Sequence, residues 1–320
     1  MKIAITGGAG FLARRLAGVL LTDPKVERVV LADVVPVEPF SRDSRLDLRV
    51  LDLTDPKAAA AAAEGADVIY HLAAVVSGQA EVDFDKGMRV NLDATRGLLE
   101  AARAGGGRPK FIFTSSLAVF GPPFPVAISE WTAARPQSSY GSAKAMGELL
   151  VAEYSRRGFI DGRVLRLPTI CVRPGEPNAA ASSFVSGIIR EPLHGEEAVC
   201  PVGRDLELWL SSPRTAVANL VHGALLGTEA LGPHPVLNLP GITVTVAEMI
   251  AALERVAGAA ATARIVFEEV PVVKRIVSSW PARFDVSRAV ALGFGRDPDF
   301  ESLIRGFLAD EGSGRTVTPF

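Results

Sequence analysis

Met1-Lys2-Ile3-Ala4-Ile5-Thr6-Gly7-Gly8-Ala9-Gly10-Phe11-Leu12-Ala13 decides how this chain is read. Ile3, Ala4 and Ile5 make a short apolar strand, glycines follow at once, and a helix is expected over 11–21. Gly7 can make the tight turn, Gly10 lets a backbone approach a pyrophosphate, and Ala13 takes the small position where helix meets strand. Phe11 and Leu12 open the helix, so their backbone N–H groups face an anion. Asp33 closes the next strand, at about the ~20-residue spacing after Gly10 expected of an acid that accepts hydrogen bonds from ribose. A carboxylate there repels a 2′-phosphate, which selects NAD over NADP. Arg14 and Arg15 are expected to be solvated rather than to bind such a phosphate.

Outward from that loop, strand and helix signals alternate. Strands are expected over 29–32, 48–51, 67–71, 111–113 and 164–167, and helices over 56–64, 84–104 and 138–157. Near-continuous apolar strands separated by helices predict an α/β fold, a Rossmann-type doubly wound parallel sheet. After residue 170 prolines such as Pro174, Pro177, Pro192 and Pro201 break the pattern, leaving helices over 213–228 and 246–256. The expected division is a dinucleotide-binding domain over 1–170 and a smaller mixed α/β substrate lobe over 171–320, with elements able to exchange between them.

Composition excludes several function classes. The net charge of −2, from 34 basic and 36 acidic residues, gives no electrostatic case for nucleic acid or an anionic membrane. No apolar run reaches the ~18 residues a membrane span needs. Cys171 and Cys200 lack CxxC spacing and are expected as buried thiols in a reducing cytoplasm. His71 reads as a satisfied strand-end histidine, and no cluster suggests a metal.

The chemistry-bearing pattern comes next. Thr114-Ser115-Ser116 ends a strand, and Tyr140-Gly141-Ser142-Ala143-Lys144 opens the following helix. Tyr140 and Lys144, four apart, share a helix face. The lysine ammonium is expected to favour the phenolate, making Tyr140 a base at neutral pH, while a serine hydroxyl binds the reacting oxygen. Asp52-Leu53 can meet an adenine, and Leu72-Ala73-Ala74 are small enough for a backbone to run beside a cofactor.

These residues together resemble the extended short-chain dehydrogenase/reductase family, of the NAD-dependent epimerase/dehydratase type. Ala13 departs from the glycine usual there. The resemblance implies NAD as cofactor, Ser116 as the catalytic serine beside Tyr140 and Lys144, and Ser115, Asn91, Pro168, Thr169 and Ile170 near the cofactor. It also implies a homodimer built on the helices over 84–104 and 138–157. Segments 75–79, 136–140, 166–175, 178–184 and 279–285 are similar to a group in this family that oxidises the 2-hydroxyl of a four-carbon sugar acid. For such a substrate Ser77, Gln79, Asn178 and Ser182 offer neutral contacts, and Arg173 and Arg283 are the candidate cations for its carboxylate. A nucleotide-sugar epimerase or dehydratase is the competing reading, disfavoured because the second lobe offers little basic beyond Arg204 and Arg214. An NAD-binding sensor without activity would be expected to lack Tyr140 or Lys144.

Overall fold

A computed structural model describes residues 1–312. Its first half runs β1 (Lys2–Thr6), α1 (Phe11–Leu20), β2 (Arg28–Asp33), β3 (Leu46–Val50), α2 (Pro56–Ala63) and β4 (Val68–His71). Then come α3 (Ser77–Val82), α4 (Phe84–Met88), a π-helical turn over Arg89–Asp93, α5 (Ala94–Ala104), β5 (Lys110–Ser116), α6 (Ser139–Arg156) and β6 (Asp161–Leu167). The helix expected over 84–104 is therefore interrupted. The π turn widens it at Asn91, a form of irregularity frequent at functional sites.

The second half adds β7 (Thr169–Ile170), α7 (Ser183–Leu193), β8 (Ala198–Cys200), β9 (Glu207–Ser211), α8 (Pro213–Leu225) and α9 (Thr228–Leu231). It continues with β10 (Val236–Asn238), β11 (Ile242–Thr245), α10 (Val246–Ala257), α11 (Ala259–Thr262) and β12 (Ile265–Phe267). It ends with α12 (Pro271–Ser278), α13 (Ser287–Ala291) and α14 (Phe300–Gly312). The helix expected over 213–228 stops at Leu225, where Leu226 leaves helical geometry.

Seven strands form one sheet in the order β10-β6-β5-β4-β1-β2-β3, and every neighbouring pair is parallel. Helices cover both faces, as parallel sheets require. Leu16 of α1 and Leu220 of α8 pack with Ile5 and Leu31 on one face. Ala62 of α2, Leu98 of α5 and Val151 of α6 pack with Ile69 and Phe113 on the other. A third core, with Ile188, Leu210, Met249 and Leu303, builds the second lobe around the sheet β11-β9-β7.

The chain crosses the boundary expected at residue 170 in both directions. Thr169 and Ile170 pair with β9 of the second lobe, while β10 extends the large sheet beside β6. Arg15, expected in solvent, is buried and ion-paired with Asp310 of α14, so the last helix is tied to the first. Among the described residues, no helix is long and apolar enough to cross a membrane.

Candidate active site

β2 and β3 lie to one side of β1, and β4, β5 and β6 to the other. The chain reverses direction across the sheet between β1 and β4, and a crevice opens there at the carboxyl ends of the strands. That crevice is a cleft of ≈ 710 Å³, within the range typical of small-molecule sites. Asp33 and Asp52 line it, as do Arg173 and Trp280.

The glycine loop forms one wall. Gly7 has φ of 72°, and a Cβ there would fall 2.8 Å from the backbone N of Ala73, so the β1 and β4 loops meet through a residue with no side chain. Gly10 caps α1 without any side-chain hydrogen bond, and no acid stands in the first turn. The first-turn N–H groups thus present an anion site with no competing side chain. Asp33 accepts from Ala9 N at 2.9 Å and Val35 N at 3.2 Å, which fixes its carboxylate at the cleft wall. Asp52 accepts from the Thr54 N–H and hydroxyl, bonds that hold its carboxyl below the usual range. An uncapped helix start, a glycine cradle and a carboxylate one strand away make a donor and acceptor set that fits a dinucleotide.

Most of the expected site residues line this one cleft. They are Gly7, Gly10, Phe11, Leu12, Asp33, Asp52, Leu53, Leu72, Ala73 and Ala74 toward the glycine loop. Ser115, Ser116, Tyr140, Lys144, Pro168, Thr169 and Ile170 line its middle, with Ser77, Gln79, Arg173, Asn178 and Ser182 at the second lobe. Two do not line it. Asn91 is buried behind the wall, where Val75 N donates to its Oδ1 at 2.7 Å and its Nδ2 donates to Val75 O at 3.0 Å. It shapes the run after β4 rather than facing the cleft. Arg283 lies outside, its side chain 64% exposed and paired with Glu207 at 2.5 Å.

Around the Ser116, Tyr140 and Lys144 trio, three successive residues of β5 dock three residues of α6. Thr114 O accepts from Lys144 Nζ at 2.8 Å, the Ser115 hydroxyl donates to Glu148 at 2.5 Å, and the Ser116 hydroxyl hydrogen-bonds Tyr140. Gly141 makes the approach possible, since a Cβ there would lie 2.1 Å from Ala118 O. The electrostatics differ from the sequence expectation. Burial pushes the Tyr140 phenol up to about 12, with the Ser116 hydrogen bond opposing it. Burial also pushes the Lys144 ammonium down to about 8, against the attraction of Glu148. Both charged forms lose hydration on burial, which opposes the phenolate and the ammonium alike.

Among the described residues Arg173 has no carboxylate partner. Most arginines away from the cleft do have one, such as Arg166 with Glu148 at 2.6 Å and Arg190 with Glu191 at 2.5 Å. Among the described residues the Arg173 side chain makes no ion pair, its Nε is buried without an acceptor, and it lines the cleft. Burial and then the nearby Arg190 charge disfavour its charged form, so an anion arriving in the cleft would relieve it.

Sequence reasoning missed Trp280, Lys86 and Arg89 as lining residues, and Glu148 beneath the trio. Trp280 Nε1 is buried without a partner. No local spacing signals Trp280, Lys86 or Arg89, because their segments reach the cleft only through tertiary packing, whereas Glu148 lies four residues after Lys144 on the same face of α6. His71 sits as expected, fully buried between the hydroxyls of Thr6 at 2.7 Å and Thr95 at 2.8 Å. Both cysteines are buried free thiols.

Residues 3–211 match the model of the NAD dependent epimerase/dehydratase family. The chain is 53% identical to a D-erythronate dehydrogenase of Cupriavidus necator, across 98% of this chain and 99% of that one. It is 49% identical to a D-erythronate dehydrogenase of Haemophilus influenzae, across 96% of this chain and 99% of that one. Among solved structures, one described as a nucleoside-diphosphate-sugar epimerase from Agrobacterium tumefaciens is 46% identical, with a TM-score of 0.92 over 99% of this chain and 96% of that one.

Proposed function

The chain belongs to the NAD dependent epimerase/dehydratase family, and we propose that it oxidises the 2-hydroxyl of D-erythronate with NAD, giving 2-dehydro-D-erythronate. The observation that carries this reading is the unpaired Arg173 guanidinium in the cleft that also holds Ser116, Tyr140 and Lys144. A small sugar acid brings the anion that guanidinium lacks. The similar D-erythronate dehydrogenases of Cupriavidus necator and Haemophilus influenzae point to the four-carbon acid.

On this reading the lining residues take distinct roles. Arg173 holds the substrate carboxylate, and Gln79, Asn178 and Ser182 offer hydrogen bonds to its hydroxyls. Ser116 holds the C2 oxygen, Tyr140 takes the hydroxyl proton, and the Lys144 ammonium stabilises the phenolate as it forms. Gly7, Gly10 and the α1 start hold the diphosphate of NAD, and Asp33 the adenosine ribose. When bound, NAD supplies the acceptor for the hydride that leaves C2. The products are the 2-keto acid, NADH and a proton.

The epimerase name of one solved relative raises a nucleotide sugar as an alternative substrate. Arg204 and Arg214 could serve its diphosphate, but neither lines the cleft. Arg204 stacks on Phe267 and Arg214 pairs with Asp310, which favours the small acid. We further place the protein in the cytoplasm as a homodimer covering the α5–α6 face, where Leu149 stands 72% exposed.

The test is NADH formation across four- to six-carbon sugar acids, with product identified as the 2-keto acid. D-erythronate should give NADH and its uncharged polyol should give far less. Epimerisation of a UDP-sugar without net NADH, and no turnover of any aldonate, would reject the proposal.

A further inference from the structure

Tyr140, Lys144 and Glu148 follow one another at four-residue intervals along α6, so they stack on one helix face. Glu148 has no place in the chemistry above, yet it is the hub beneath it. Its Oε1 accepts from Ser115 Oγ at 2.5 Å and Arg166 Nε at 2.8 Å, and its Oε2 accepts from Arg166 Nη2 at 2.6 Å. Arg166 in turn reaches Asn238 Oδ1 at 3.3 Å and lies over the Phe120 ring. Glu148 and Arg166 are both buried.

We propose that Glu148 is a positioning residue of this site, its buried carboxylate holding the end of β5 against α6 beside Tyr140 and favouring the charged form of Lys144 one helix turn away. The inference rests on the dehydrogenase reading, because it concerns how the same trio is held. Two physical arguments carry it. The Ser115 bond ties the strand residue between the Lys144 anchor and Ser116 to the helix that carries Tyr140. The carboxylate also attracts the Lys144 ammonium from one helix turn away, where both side chains are buried and water screens them little. An Arg166 pair that served only to satisfy two buried charges would not require the serine contact.

The groups around Lys144 are few. Tyr140 and Glu148 face it from α6, and Thr114 O and Ser115 from β5. His71 approaches from β4 and is held neutral by burial, down to about 3. Arg166 on β6 stays bound to Glu148, and Glu130 and His234 lie beyond it, near Asn238 and Arg166. Near pH 8 the titration expected in this cluster is therefore that of Lys144.

The experiment follows Lys144 by its 13Cε NMR shift in the full chain, assigned with Lys144→Met, alongside the pH profile of kcat for the sugar acid. Glu148→Gln should move the Lys144 midpoint down by about one pH unit and lower kcat roughly five- to tenfold near pH 8, with little loss near pH 6.5. Glu148→Asp, which keeps the charge one methylene back, should restore the midpoint. NAD affinity should not change. Should Glu148→Gln fail to fold, adding Arg166→Met removes the stranded guanidinium and carries the same measurement. A folded variant whose Lys144 midpoint stays within about 0.3 units of wild type, with kcat lowered equally at every pH, would overturn the proposal. If wild-type protein oxidises no sugar acid, the substrate reading fails, while the NMR midpoint still decides the role of Glu148.

Discussion

Lys144 donates to the carbonyl oxygen of Thr114 across 2.8 Å, and the lysine is 2% exposed. The bond pins the ammonium between the end of β5 and the face of α6, below Tyr140. It makes the lysine a fixed charge rather than a mobile one, and it explains why burial can press on its protonation without displacing it.

Tyr140→Phe keeps the ring and removes the group that takes the proton. Turnover should fall by 10²–10⁴-fold, the range of positioned acid–base groups, while NAD binding by fluorescence titration stays near wild type. Because burial raises the phenol to about 12, kcat should rise with pH on its acid side. Retention of more than about a tenth of the rate would remove Tyr140 from that role.

Arg173→Met preserves the packing of the long stem and deletes the cation. A lost hydrogen bond to a charged group is worth about 1.5–3 kcal/mol, so kcat/KM for the sugar acid should drop roughly ten- to hundredfold. Arg283→Ala, outside the cleft and paired with Glu207, should change it little. Equal losses for the two variants in steady-state assays would contradict the assignment.

Asp33→Ala should weaken NAD and narrow its advantage over NADP, since a carboxylate at the cleft wall would repel a 2′-phosphate. The loss of the Ala9 N–H bond also loosens the glycine loop, so both affinities should be measured directly by titration. A wild-type protein that turned over NADP as well as NAD would defeat this reading.

His71 connects the site to acid stability. Burial lowers it from 6.5 to about 3, so the unfolded chain takes up this proton before the folded one does. Its neutral form is fully compatible with folding above about pH 6.5, and stability falls below that by up to about 1.4 kcal/mol per pH unit until about pH 3. His234, also lowered by burial, acts in the same direction. The urea midpoint should therefore decline between about pH 6.5 and 5, and His71→Gln should flatten the decline. A wild-type midpoint unchanged across that interval would show the histidine is not the cause.

The sequence alone determined what depends on local pattern. Apolar strands cut by Gly7 and Gly10, an acid at Asp33, and Tyr140 four residues before Lys144 are short-range signals. The backbone conformations and helix faces they specify hold wherever the segment lies. They were enough to expect a parallel α/β sheet, a dinucleotide loop and the trio of side chains at its far end. Only the tertiary structure put Arg173 in the cleft and Arg283 outside it, paired with Glu207 from a distant strand. It moved Asn91 behind the cleft wall, where a π turn brings its amide onto Val75. It also buried Arg15 against Asp310, and it brought β10 across the expected boundary to the edge of the large sheet. The protonation of Tyr140 and Lys144 belongs to the same class. Spacing places the two on one helix face, but how far water is excluded from them depends on β4, β5 and β6 packing around α6. That desolvation is a sum over the whole fold, which no local spacing reports.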